Sequence, residues 1–169
     1  VTVLIRPLIL LAALMSLAAA GPSAARERET LLSRALSCRI DDGETAKLMD
    51  ALAVEDAGMK SAAQSLAAPS GNLYRLTAPV SALGYSTNEI YISPGRIVMV
   101  VSGQPLASIS ARLQLEPDPY GPAERRIDDA HKVIAYHLSQ SPLAGKVLVG
   151  CEYADPAALT WLGQDEAGF

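Results

Sequence analysis

The side chains that come closest to chemistry in this chain are two histidines, two groups of acids and two cysteines. They are His131 and His137, the acids Asp41, Asp42 and Glu44, the pair Asp128 and Asp129, and Cys38 with Cys151. An imidazole beside a carboxylate can act as a general base. Clustered carboxylates can also hold calcium. The spacing answers most of this. His131 and His137 are six residues apart. On a strand they share a face but stand about 20 Å from each other, too far for one metal ion. On a helix they point to different sides. Asp41, Asp42 and Glu44 lack the alternating spacing of an EF-hand loop and suit the start of a helix, where the dipole favours negative charge. Asp128 and Asp129 follow Arg125 and Arg126 and read as a solvated loop of mixed charge. No GxSxG, Walker, GxGxxG or HExxH pattern occurs. The expectation is no catalytic set, no metal and no cofactor.

Cys38 and Cys151 are the chain's only cysteines. An isolated pair in an oxidising compartment forms a disulfide. The compartment is read from the first residues. Arg6 precedes an apolar stretch from Leu8 to Ala20, and small residues then lead to Gly21 and Pro22. That is the order of a cleavable export signal. The stretch is thirteen residues long, short of the about 20 that a spanning helix needs. Cleavage is expected after Ala20 or Ala25, giving a signal over 1–25 and one secreted domain over 26–169. No cysteine stands at either point, so no membrane anchor is expected to remain. The place implied is periplasmic or extracellular. A net charge of −4 with no basic run argues against nucleic acid and against an electrostatic hold on anionic lipid.

The elements that must position these residues follow from periodicity. Glu27 to Leu36 reads as a short helix that brings Cys38 to the core. A second helix starts at the Asp41 acids, carries Leu48, Met49 and Leu52 on one face, and stops at Gly58. Ala57 to Asn72 is rich in Ala and Ser, a weak helix or a connector. Strands follow at Leu73–Val80, Asn88–Ile92 and Arg96–Val101. The last is apolar on both faces, as a central strand covered twice must be. Pro105 opens a helix with Leu106, Ile109 and Leu113 as its buried stripe. His131 to Leu138 fits helix and strand, with strand preferred because turn residues and another strand, Lys146–Tyr153, come next. Asp155 and Pro156 begin a short last helix that Gly163 stops.

The resulting order is α-β-β-β-α-β-β. It predicts an α+β fold: a twisted antiparallel sheet of about five strands, two or three helices on one face, and one disulfide. In outline this resembles small periplasmic binding and inhibitor domains, including lysozyme-inhibitor-like and β-lactamase-inhibitor-like folds. The resemblance is of architecture and carries no functional residue across.

Tyrosine is the aromatic of choice, with six against one Phe and one Trp. Tyr74, Tyr91, Tyr136 and Tyr153 fall in strand patterns, and Tyr85 and Tyr120 in loops. Glu116 to Asp129 (EPDPYGPAERRIDD) reads as a long exposed loop in which Pro119, Gly121 and Pro122 stiffen a displayed Tyr120. Pro119, Tyr120, Gly121, Arg125 and Arg126 form the candidate binding loop. Tyr85, Tyr91, His131 and His137 are lesser surface candidates. The function expected is a non-catalytic binding module, inhibitor-like or immunity-like, acting on a protein of the cell envelope. Alternatives are a small periplasmic hydrolase drawing on His131, His137, Asp128 and Asp129, and a small-ligand or structural envelope protein.

Overall fold

A computed structural model describes residues 30–53, 64–67, 70–139, 142–154 and 158. Two helices come first, α1 (Leu31–Leu36) and α2 (Asp42–Ala53). Four strands follow: β1 (Gln64–Ala67), β2 (Ser70–Ala82), β3 (Tyr85–Ser93) and β4 (Arg96–Val101). Helix α3 (Leu106–Leu113) leads to β5 (Ala123–Arg126), β6 (His131–His137) and β7 (Val147–Tyr153). The strands form one seven-stranded sheet in the order β1-β2-β3-β4-β7-β6-β5. Every neighbouring pair is antiparallel. The fold is thus the expected antiparallel sheet with few helices and one disulfide, built with seven strands where about five were expected.

The two most apolar strands lie side by side near the middle. β4 and β7 pair from Arg96↔Glu152 to Val101↔Val147. Alternation sends their side chains to two different clusters. Ile97, Met99, Val101, Val147, Val149 and Cys151 join one, together with Leu32 and Leu36 of α1, Leu48 of α2 and Ile109 of α3. Val98, Val100 and Leu148 join Leu73, Tyr91, Ile134 and Leu143 in the other. The double apolar pattern of RIVMVV therefore marks a strand buried on both faces. The three helices contribute to the first cluster, as expected of helices sharing one face.

Helix α1 is short, so its ends matter. Thr30 caps it, the Oγ1 accepting from Ser33 N at 3.1 Å. At the other end Cys38 N–H donates to Ala35 O (3.0 Å) and Arg39 N–H to Arg34 O (2.8 Å). This is a Schellman closure, with Cys38 at the left-handed position (φ 58°) that glycine usually takes. A side chain costs about 1 kcal/mol or more in that conformation. Here the side chain is needed, because Cys38 is bonded to Cys151, 113 residues further on. Beside the disulfide, Tyr153 donates its hydroxyl to Ala35 O at 2.7 Å. One turn of α1 is thus fastened twice to the end of β7. Arg34 and Glu44 link α1 to α2 through two side-chain bonds.

Two regions depart from the sequence reading. Ala57–Asn72 was expected as a weak helix or connector, yet Gln64–Ala67 pairs with Ser70–Leu73 as the edge of the sheet. Its Ala and Ser content has no period of its own, and the pairing decides its conformation. Gly71 lies inside β2 because a Cβ there would stand 2.3 Å from the Tyr91 hydroxyl. Glu116–Asp129 was expected as one long loop. Four of its residues, Ala123–Arg126, pair with Lys132–Ala135 of β6. Charged residues suit an edge strand, where they discourage further pairing, and so they hide it from a hydropathy reading. His131–His137 is the preferred strand. The export signal over 1–25, Gly58 and most of the last short helix lie outside the described residues. Ala158 is described: it is buried, and its carbonyl accepts from Gly95 N at 2.8 Å.

Removing the disulfide as the Cys38→Ala, Cys151→Ala double variant is expected to lower stability by about 4–5 kcal/mol in the chain-entropy account of so long a loop. Urea unfolding of parent and variant measures this. A loss below about 1 kcal/mol would mean that packing and the Tyr153 hydroxyl hold α1 without the bond.

Candidate recognition loop

The segment between α3 and β5 is closed at its base and displayed at its tip. Helix α3 buries Ile109 and ends at Gln114, which is left-handed at φ 56°. Leu115 is buried and its N–H returns to Ser110 O at 2.9 Å. Glu116 and Glu124 then exchange both backbone bonds, 2.8 Å from Glu116 N to Glu124 O and 2.9 Å in return. The pairing is antiparallel and lies outside the named strands. Lys132 Nζ reaches the Glu124 carboxylate at 2.8 Å. Arg125 donates from Nε to Leu113 O at 3.0 Å, a guanidinium on the last carbonyl of α3, where the helix dipole favours a cation. The base of the loop is therefore tied to both β6 and α3.

The tip is stiffened by its own residues. Pro117, Pro119 and Pro122 restrict φ at three positions. Asp118 Oδ1 accepts from Tyr120 N at 2.8 Å, an Asx turn. A Cβ on Gly121 would stand 3.1 Å from Asp118 Oδ2, so the smallest residue sits where the turn is tightest. Tyr120 at the apex is 98% exposed; the other exposed large hydrophobic among the described residues, Ile127, is 43% exposed. An aromatic held clear of its own protein leaves its area for a partner. Arg126 lies at the far end of β5, exposed and 3.3 Å from Asp129.

The histidines occupy opposite ends of β6. His131 donates from Nδ1 to Asp128, with Oδ1 and Oδ2 at 2.8 and 2.9 Å. The same carboxylate accepts from Ala130 N and His131 N, each at 2.8 Å. Asp128 is thus first a turn cap of the β5–β6 hairpin, and the His131 bond holds its carboxyl below the usual carboxylate range. The His131 ring meets the Tyr153 ring edge-on at 5.1 Å, and the Tyr153 hydroxyl is already given to Ala35. His137 is exposed and donates from Nδ1 to Lys146 O at 2.9 Å. Among the described residues no three His, Cys, Asp or Glu side chains gather as a metal site. Asp41 caps α2, its Oδ1 accepting from Glu44 N at 2.8 Å, in keeping with the helix-start reading. The side chain of Asp42 lies outside the description.

Two tyrosines sit otherwise than expected. Tyr91, carried as a surface candidate, is fully buried, and burial pushes its phenol up to about 12. It points into the sheet's second face because strand alternation sets it there, beside Leu73 and Val98. Tyr85 is the first residue of β3 and not part of a loop, since Leu83 and Gly84, both at positive φ, complete a two-residue hairpin turn. Its half-buried ring lies under the Arg112 guanidinium at 4.8 Å, which makes it a brace between hairpin and α3.

The sequence reading missed a polar group on the second face. Arg96 and Glu152 face each other in register and meet at 2.7 Å, with the Arg96 guanidinium 5.3 Å from the Tyr136 ring centre. Glu89 holds Lys146 at 2.9 Å and Arg75 at 3.3 Å. The signal that could have found the first pair is the opposition of an Arg at one strand's start to a Glu at another's end, and that requires knowing that β4 pairs β7.

Comparison with protein-family models, with curated proteins and with solved structures finds no match to this chain.

The acids give a pH prediction. The Lys146 bond holds the Glu89 carboxyl below its usual value, as the Arg34 bond does for Glu44. A carboxyl lowered on folding stabilises above its unfolded value and loses that contribution as pH falls through the folded one. The unfolding midpoint should be flat above about pH 5 and fall below it. Glu89→Gln should shallow that fall in urea titrations between pH 6 and 2.5. An unchanged slope would show that the Glu89 contact contributes nothing in solution.

Proposed function

We propose that this protein is a non-catalytic binding module that recognises a protein of the cell envelope through the loop closed by Glu116 and Glu124. The observation that carries the reading is Tyr120: an almost fully exposed aromatic at the apex of a loop held at its base by two backbone bonds and at its tip by an Asx turn. Ordering a flexible loop on binding costs free energy, and a loop already in place avoids that cost. Pro119 and Gly121 shape the tip, and Arg125 anchors it to α3. Arg126, at the other end of β5, is the outer limit of the surface.

The proposed setting is periplasmic or extracellular, after removal of residues 1–25. It is supported by the export-signal pattern and by the Cys38–Cys151 bond, which is compatible with an oxidising compartment. Inhibition or neutralisation of the partner is the role that suits a domain offering one stiff protruding loop. A hydrolase reading draws on the Asp128–His131 pair. It requires a hydroxyl presented to His131, and the ring packed on His131 has already committed its hydroxyl to Ala35.

Tyr120→Ala is expected to weaken capture of the envelope partner by about thirtyfold, the size of an interface hot spot. Stability should stay within about 0.5 kcal/mol of the parent, because the side chain touches little of its own protein. Quantitative pull-down from envelope extract, with thermal unfolding as the control, measures both. Unchanged capture by a folded Tyr120→Ala protein would remove the loop from the binding site.

A further inference from the structure

We infer that the partner is a protein that receives Tyr120 in a recess with apolar walls and with cationic, not acidic, side chains at its rim. This rests on the proposed reading of the loop as the binding site and adds the shape and chemistry of what it binds.

The shape follows from exposure and from the width of the loop. At 98% exposure both faces and the edge of the Tyr120 ring are open. A flat surface covers one face of such a ring and leaves the other in water; a recess covers all of it. Aromatic hot spots are those that a partner desolvates completely. The base of the loop is a hydrogen-bonded antiparallel pair, Glu116 with Glu124, whose Cα atoms stand about 5.5 Å apart. Seven residues, 117–123, rise from that base, so the projection is narrow as well as long enough to enter a cleft. Residues 117 to 121 are all exposed, and no other part of the described protein folds back over them. Stiffness supports insertion in the same way, because a loop that keeps its shape loses little freedom inside a cavity.

The chemistry follows from what stands beside the ring. From Glu116 to Pro122 the sequence is EPDPYGP. Its ionisable groups besides the phenol are two exposed carboxylates, Glu116 and Asp118, and it contains no cation. The nearest cations in sequence are turned to other partners: Arg112 over Tyr85, Arg125 on Leu113 O, Arg126 toward Asp129 at 3.3 Å at the far end of β5 and Lys132 on Glu124. A cleft lined by carboxylates would face like charge on entry, which disfavours such a partner. Lysine or arginine at the rim would meet Glu116 and Asp118, and apolar walls would meet the ring. The phenol needs one hydrogen-bonding group at the bottom of the recess.

The test uses the full mature chain with para-azidophenylalanine, close to tyrosine in size, at position 120 and in a second protein at position 127. Each is photolysed in envelope extract and the adducts are mapped on the partner. Glu116→Gln with Asp118→Asn, and Tyr120→Phe, are assayed for capture at low and high salt. The expected result is an adduct from position 120 on the wall of a cavity and none from 127. Capture should fall about tenfold or more on neutralising the two acids, with a smaller salt dependence, and only a few-fold for Tyr120→Phe. An adduct on a flat or acidic surface, or acid-neutralised protein that binds as well as the parent, would overturn the recess with its cationic rim, while a Tyr120→Ala protein that still loses about thirtyfold in capture would leave the binding reading standing. Failure of the parent to capture any partner, or capture indifferent to Tyr120→Ala, would overturn both.

Discussion

The bond between Cys38 and Cys151 is the constraint on which the arrangement rests. It joins the end of the first helix to β7, and β7 is the strand that links the two halves of the sheet. On one side of β7 the strands β4, β3, β2 and β1 follow in reverse chain order; on the other lie β6 and β5. A helix of six residues has no stability of its own in water. Its position comes from the disulfide, from the Tyr153 hydroxyl on Ala35 O and from burial of Leu32, Ala35 and Leu36. Cys38 occupies a left-handed site normally left to glycine. The helix end is therefore shaped around the cross-link: the turn that aims Sγ at β7 is the turn that ends α1.

From β7 the order passes outward. β6 pairs β7 along its whole length, from His131↔Tyr153 to His137↔Val147. β5 pairs β6, and Glu116 pairs the outer side of β5 at Glu124. Arg125, from β5, binds the last carbonyl of α3, that of Leu113, and Ile109 of α3 is buried in the main core. The displayed loop is thus the last member of a series of paired backbones that begins at the cross-linked strand. Its outer partner also shields β5 at Glu124, a position where an open edge invites foreign strands. The two histidines fit the same scheme as hairpin braces. His131 fastens the β5–β6 turn through Asp128, and His137 fastens the start of β7 through Lys146 O.

Much of this was legible because alternation is strong where burial is strong. RIVMVV and KVLVGCEY announce strands on residue type alone, and the two cysteines announce their bond as an isolated pair. The stripe Leu106, Ile109 and Leu113 marks α3, with Ile109 fully buried and its neighbours half-buried. The edges were not legible. Gln64–Ala67 and Ala123–Arg126 become strands through neighbours that lie nearby only once the sheet has formed, and neither has an apolar period to show it. Tyr91 was misplaced because a tyrosine in an alternating strand can face water or core, and the choice depends on which face the sheet covers. Of the candidate site, the stiff Tyr120 tip could be read from its prolines and glycine. The closure at Glu116 and Glu124 could not, because two glutamates in a charged segment carry no sign of pairing through their backbones.

The central claim is that the Tyr120 loop is formed before any partner arrives. Amide hydrogen exchange of the free protein tests it most directly. Glu116 N and Glu124 N each donate to the other's carbonyl, so both should exchange slowly, with protection near that of the β5–β6 ladder, while the exposed tip exchanges fast. Exchange of both amides at the rate of an unstructured chain, with the β5–β6 amides still protected, would show an open loop and contradict the account.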